Sequence, residues 1–216
     1  MHVIYGGTFD PIHHGHLRLA LEISDRLGVA GINLVPCHIP PHRGDTGAAS
    51  EQRLRLIELA IAGEPRLAVD NRELRRAGAS YTADTLRQLR QELGDDEPLV
   101  MVVGTDAFAG FDRWRDWQQI PDLAHVVVVR RPGPGLDPSG QPASLLASRA
   151  APDAAALHRQ PCGLFLELDP PLLDISATGI RERIADGRSP RYLMPDSVWD
   201  DIRRSGLYGA CPEGNF

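Results

Sequence analysis

The chain has 216 residues, long enough for one α/β domain with a full core and short for two. Hydrophobic residues make up 42% and charged residues 24%, an ordinary globular balance that excludes a disordered or fibrous chain. A formal charge of −6 excludes an extended interface with nucleic acid or an anionic membrane, since both need a basic footprint, but leaves room for small anionic ligands wherever arginines gather.

Short apolar runs rich in β-branched residues predict strands at 3–5, 32–35, 67–69, 99–103, 126–129 and 164–168. The runs LVMVV and VVVV are nearly continuous, as in strands buried on both faces of a parallel sheet. Helical periodicity lies between them. Leu17, Ala20, Leu21, Ser24 and Leu27 recur at three and four, and Gly28 stands where that helix should stop. The stretch 50–64 puts Leu54, Ile57 and Ile61 on one face, and Leu86, Leu89 and Leu93 do the same before Gly94. This alternation predicts a single-domain, doubly wound α/β fold over 1–208, a parallel sheet with helices on both faces and ligands at the carboxyl ends of its strands. Residues 132–162, rich in Pro, Ala, Gly and Ser, read as a surface excursion with one short helix near 151–158. The tail 209–216 has nothing evident to pack against.

Cys37, Cys162 and Cys211 are far apart and in no CxxC arrangement, so they make neither a disulfide framework nor a zinc site. The start MHVIYGGTFD lacks the charged and apolar blocks of a signal peptide, and no apolar run approaches the ~20 residues of a membrane span. A cytoplasmic location is the expectation.

GGTFDPIHHGH, residues 6–16, directly follows the first strand. Gly6 and Gly7 can take backbone angles closed to other residues and let a ligand approach the main chain. His13 and His16, three apart, should share one side of the entering helix, whose free N–H groups and partial positive charge favour an anion. HxxH also suits zinc, but a catalytic zinc site needs a third protein ligand, and His38, His42, His125 and His158 are isolated. An inert histidine-bearing loop is the remaining alternative.

A second motif, DISATGIRERI at 174–184, follows the last strand. Ser176 is a natural N-cap, Thr178 lies in the first turn and Arg181 one turn further. Alone, this describes a well-capped helix. Beside the opening motif, it makes a second helix terminus suited to phosphate.

GGTFDPIHHGH resembles the signature of the HxGH nucleotidylyltransferases, and ISATGIR their partner motif ISxTxIR. PPHR at 40–43, SYTADT at 80–85, GTD at 104–106, WRDW at 114–117 and RRPG at 130–133 fall in the order seen in the bacterial nicotinate-nucleotide adenylyltransferases. The resemblance implies a Rossmann-like fold and transfer of AMP from ATP to nicotinate mononucleotide, in NAD synthesis, without a covalent enzyme intermediate. It implies that His13 and His16 contact the ATP phosphates, that Ser176, Thr178 and Arg181 hold the β- and γ-phosphates, and that Gly6, Gly7, Thr8 and Phe9 line the nucleotide. Gly104 and Asp106 would approach the riboses, although Asp106 also suits a helix N-cap. Trp114, or less favourably Trp117, would stack on the pyridine ring, unless both simply pack. Tyr81, Thr82 and Arg115 would complete the mononucleotide pocket, with Thr82 also placed as an N-cap. Mg2+ would arrive with ATP. His42 and Arg43 read equally as a basic loop near the phosphates or as solvated. The excursion and the residues beyond SGLY carry no motif of the family, and the sequence does not set an oligomeric state.

Overall fold

The structure is a computed structural model that describes residues 1–40, 46–133 and 135–211. His42 and Arg43 lie outside the described residues. The sheet holds β1 (His2–Gly7), β2 (Ile32–Pro36), β3 (Leu67–Val69), β4 (Leu99–Gly104), β5 (His125–Val129) and β6 (Phe165–Leu168), in the order β3-β2-β1-β4-β5-β6. Every pairing is parallel, for example Ile4 opposite both Asn33 and Met101. Because side chains alternate along a strand, the sheet sorts its residues onto two buried faces. Val3, Tyr5, Val100, Val102, Val127 and Val129 join one core, while Ile4, Met101, Val103, Val126 and Val128 join the other.

Helix α1 (His14–Leu27) packs on the first face and ends at Gly28, whose φ of 62° is the left-handed cap that glycine supplies without strain. Helix α2 (Ser50–Ile61) lies on the same side but buries Arg53, Leu56 and Ile57 rather than the expected Leu54, Ile57, Ile61 stripe. It is rotated because the Arg53 guanidinium finds main-chain carbonyls inside the protein. Helix α3 (Thr82–Leu93) buries Ala83, Leu86 and Leu89 against the second face. Tyr81, not Thr82, occupies its N-cap position.

The short α4 (Thr105–Phe108) is capped by Gly104, so Asp106 sits inside its first turn and not at the cap. After α5 (Ile120–Leu123) and β5, the stretch 132–162 carries the crossover to β6, most of its described residues exposed or half-buried and Pro142, Ala156 and Leu157 buried. Parallel strands require one, and α6 (Gln141–Ser148) supplies it. The expected short helix is a 3-10 turn at Ala154–His158, with Leu157 fully buried and His158 Nε2 2.8 Å from the Leu27 carbonyl. Helices α7 (Ala177–Ala185) and α8 (Asp196–Ser205) complete the first layer. Tail residue Ala210 is 6% exposed and joins that core, so the tail packs at its start instead of hanging free. Among the described residues, no helix is long and apolar enough to cross a membrane.

Candidate active site

The strand order reverses between β1 and β4, and the crevice at their carboxyl ends is where a doubly wound sheet accepts ligands. Four of the motifs found in the sequence converge there or beside it. His13 and His16 follow β1, Gly104 ends β4 and Asp106 follows it in α4, Arg131 follows β5, and the ISATGIR segment opens α7.

The glycine pair works differently from expectation. Both residues belong to β1, and neither has positive φ; that conformation falls on Phe9, at 50°. The Phe9 ring turns inward, 2% exposed, and meets Tyr5 edge-on at 5.7 Å. A Cβ on Gly7 would come within 2.8 Å of that ring, so Gly7 makes room for Phe9. Beside Gly6 there is open space, as close approach of a ligand to the backbone requires.

His13 is the N-cap of α1 and gives it no side-chain hydrogen bond. Its ring stacks on His16 at 3.7 Å between centroids, and Phe9 closes the far side of His16 at 5.0 Å. Both Nδ1 atoms are buried without a hydrogen-bond partner among the described residues. Burial lowers His13 to about 4, helped by the positive charge of Arg131 and by His14. His16 is driven well below the ordinary imidazole range by burial, then by His13 and Arg131. At neutral pH the pair is therefore uncharged.

Arg131 had no role in the sequence beyond its place in RRPG. Its guanidinium lies 3.6 Å from Asp106 and 3.4 Å from the Tyr5 hydroxyl, whose ionisation burial opposes. The absence of a side chain at Gly104 lets the Arg131 guanidinium and the Asp106 carboxylate close in, since a Cβ there would lie 2.7 Å from Arg131 Nε and would displace both side chains. Thr105 ties this corner together, donating to the Val129 carbonyl at 2.8 Å and accepting from the Arg131 N–H at 3.0 Å.

The two motifs meet directly. Gly15 faces the Ile175 carbonyl, and Arg181 Nη1 donates to the Asp10 carbonyl at 2.6 Å. Ser176 caps α7 as expected, its Oγ accepting from the Gly179 N–H at 3.1 Å, which leaves its own hydrogen free to donate. Thr178 Oγ1 stands 3.4 Å from Arg181 Nη2.

The mononucleotide residues form a second group beside α3. Arg115 stacks over the Tyr81 ring at 4.6 Å, and no side chain caps α3, whose first residue is Thr82. Trp114 and Trp117 both lean on Phe111, at 5.3 and 6.1 Å. Trp114 remains partly exposed.

Sequence patterns did not reveal Arg53. It is fully buried yet bonds to the carbonyls of Thr8 at 2.7 Å, His38 at 2.9 Å and Ala48 at 3.3 Å, strapping the β1–α1 loop to the chain before α2.

A switch-point crevice flanked by two helix N-termini, with paired imidazoles at one and a guanidinium at the other, is the arrangement of a nucleotidyltransferase, and the cytidylyltransferase-like family model matches residues 4–183. A "Probable nicotinate-nucleotide adenylyltransferase" of Marinobacter nauticus is 70% identical over 98% of each chain, and one of Cellvibrio japonicus is 51% identical over 95% of this chain and 97% of its own. The chain belongs to this nicotinate-nucleotide adenylyltransferase family. The fold agrees with a solved nicotinic acid mononucleotide adenylyltransferase of Plasmodium falciparum complexed with NaAD, at TM-score 0.70 and 18% identity over 98% of both chains.

Proposed function

We propose that the protein joins ATP and nicotinate mononucleotide into nicotinate adenine dinucleotide and pyrophosphate by direct in-line attack. An oxygen of the mononucleotide phosphate forms the new bond to the α-phosphorus. The bond from that phosphorus to the bridging oxygen breaks, and its electrons leave with pyrophosphate. The nucleophile is already an anion, so no side chain has to remove a proton, and catalysis consists of positioning and charge stabilisation.

The observation that carries this proposal is the junction of the two motifs through Arg181 and the Asp10 carbonyl, which supports a reading in which one triphosphate would span both helix termini. His13 and His16 would donate to the α-phosphate. An arriving polyanion also raises their affinity for protons, so charge accumulates on the pair when the transition state needs it. Ser176, Thr178 and Arg181 would hold the β- and γ-phosphates. Arg181 offers a planar fork that a lysine could not copy. The main chain of Gly6, Gly7, Thr8 and Phe9 would line the nucleotide, with Gly104 and Asp106 at the riboses.

Among the described residues, no three His, Cys, Asp or Glu side chains gather to hold a metal ion. A divalent cation, Mg2+ in our proposal, fits as a hydrated ion carried on the triphosphate oxygens, where it would neutralise charge on the leaving group. Trp114 would cover the pyridine ring, beside Tyr81 and Arg115. The uncapped start of α3 at Thr82 would take the nicotinate carboxylate, since a helix N-terminus favours an anion over a neutral amide.

The test is pyrophosphate release from ATP and Mg2+ with nicotinate mononucleotide, nicotinamide mononucleotide or phosphopantetheine as acceptor. Preference for the nicotinate compound supports the whole proposal. Equal use of acid and amide removes the argument from the start of α3, and release with phosphopantetheine alone, or with none, refutes the reaction.

A further inference from the structure

Asp10 lies in the loop from β1 to α1, 6% exposed, with both carboxylate oxygens bonded. The Tyr208 hydroxyl donates to Oδ1 at 2.7 Å, and the Gly47 N–H donates to Oδ2 at 2.7 Å. The Asp10 main-chain carbonyl accepts from Arg181 Nη1 at 2.6 Å, while Oδ2 lies 3.8 Å from the same nitrogen. Three separate parts of the chain thus close on one loop residue.

Tyr208 reaches this position at a conformational cost. Its φ of 58° and ψ of 21° are left-handed, which a residue with a bulky side chain adopts only when its surroundings hold it there. Its ring presses on Gly47, where a Cβ would come within 2.8 Å of the ring and 3.1 Å of Arg181 Cδ. Burial and the bond to Asp10 both keep the phenol protonated, so it stays a donor.

We infer that Tyr208 is a positioning residue for ATP: by holding the Asp10 carboxylate it fixes the carbonyl that orients Arg181, and so sets how the guanidinium meets the triphosphate. This rests on the proposed role of Arg181 at the phosphates. One edge of the fork is spent on Asp10, and its remaining N–H groups then point in one direction instead of sampling many. A bidentate contact depends on such alignment, because two parallel bonds form only when the guanidinium plane is already set.

The experiment measures KM for ATP, KM for nicotinate mononucleotide and kcat in Tyr208→Phe, Asp10→Asn, Arg181→Lys and the Tyr208→Phe/Arg181→Lys double variant. Tyr208→Phe should raise KM for ATP about fivefold, the order expected for loosening one charge-assisted hydrogen bond, and leave KM for the mononucleotide unchanged. Asp10→Asn, which keeps the side-chain volume, should do the same. In the Arg181→Lys background the Tyr208 change should add nothing. If Tyr208→Phe and Asp10→Asn lower only the melting temperature, or shift both KM values alike, or if the effects of Tyr208 and Arg181 simply add, the inference is overturned. If Arg181→Lys itself leaves KM for ATP unchanged, the proposed phosphate role of Arg181 fails and takes the inference with it.

Discussion

The neutral histidine pair makes the folded protein sensitive to acid in a way that can be calculated. His13 protonates near 4 in the folded chain against an ordinary 6.5, because its ring is buried beside Arg131 and His14. Between those values the unfolded chain binds a proton that the folded chain refuses, so stability falls as pH falls through this window. The loss from His13 is about 2 kcal/mol at pH 5 and levels off near 3 kcal/mol below pH 4. His16 acts in the same direction. Because acid also destabilises through carboxylates elsewhere, the assay compares urea unfolding of the wild type and His13→Asn at pH 7.5 and pH 5. The wild type should lose about 2 kcal/mol more than the variant over that interval. Equal losses would refute the claim that His13 is held neutral by its surroundings.

Removing the neighbouring charge should partly release the pair: Arg131→Gln raises the pH at which His13 and His16 protonate, read from imidazole 15N shifts, and unmoved titrations would contradict the charge coupling. Gly7→Ala should cost about 1–3 kcal/mol, because its Cβ would collide with the Phe9 ring. Gly6→Ala, facing open space, should leave the unfolding midpoint nearly unchanged but raise KM for ATP; a change in stability alone would remove the proposed close approach of the nucleotide. Arg53→Met should cost about 1–3 kcal/mol in urea unfolding, since it removes the buried donor to the Thr8 carbonyl and leaves the His38 and Ala48 carbonyls with their hydroxyl donors, Ser50 and Thr46, alone.

Most of the sheet was legible because strands buried on both faces leave continuous apolar runs, and β4 and β5 are buried at every residue. The pairing of His13 with His16 was legible because residues three apart share a helix face. Helix α6 was not: Pro142 stands in its first turn, and Gln141–Ser148 offers little apolar periodicity, so only the need to cross between parallel strands calls for it. The glycines can take a left-handed conformation, but it falls on Phe9, whose ring packs inward, and no local pattern marks that residue for it. The bonds from Tyr208 and Arg181 to Asp10 span 198 and 171 residues, and no local pattern encodes contacts at that range. Arg53 was hidden by its charge, which argues for the surface until its carbonyl partners are seen.

The central claim is that two helix N-termini hold one triphosphate between them. A crystal structure with a non-hydrolysable ATP analogue and Mg2+ tests it directly. The α-phosphate should lie against His13 and His16 at the start of α1, with the β- and γ-phosphates on Ser176, Thr178 and Arg181 at the start of α7. Phosphates bound away from either helix terminus, or a nucleotide that leaves both histidine rings and Arg181 untouched, would contradict it.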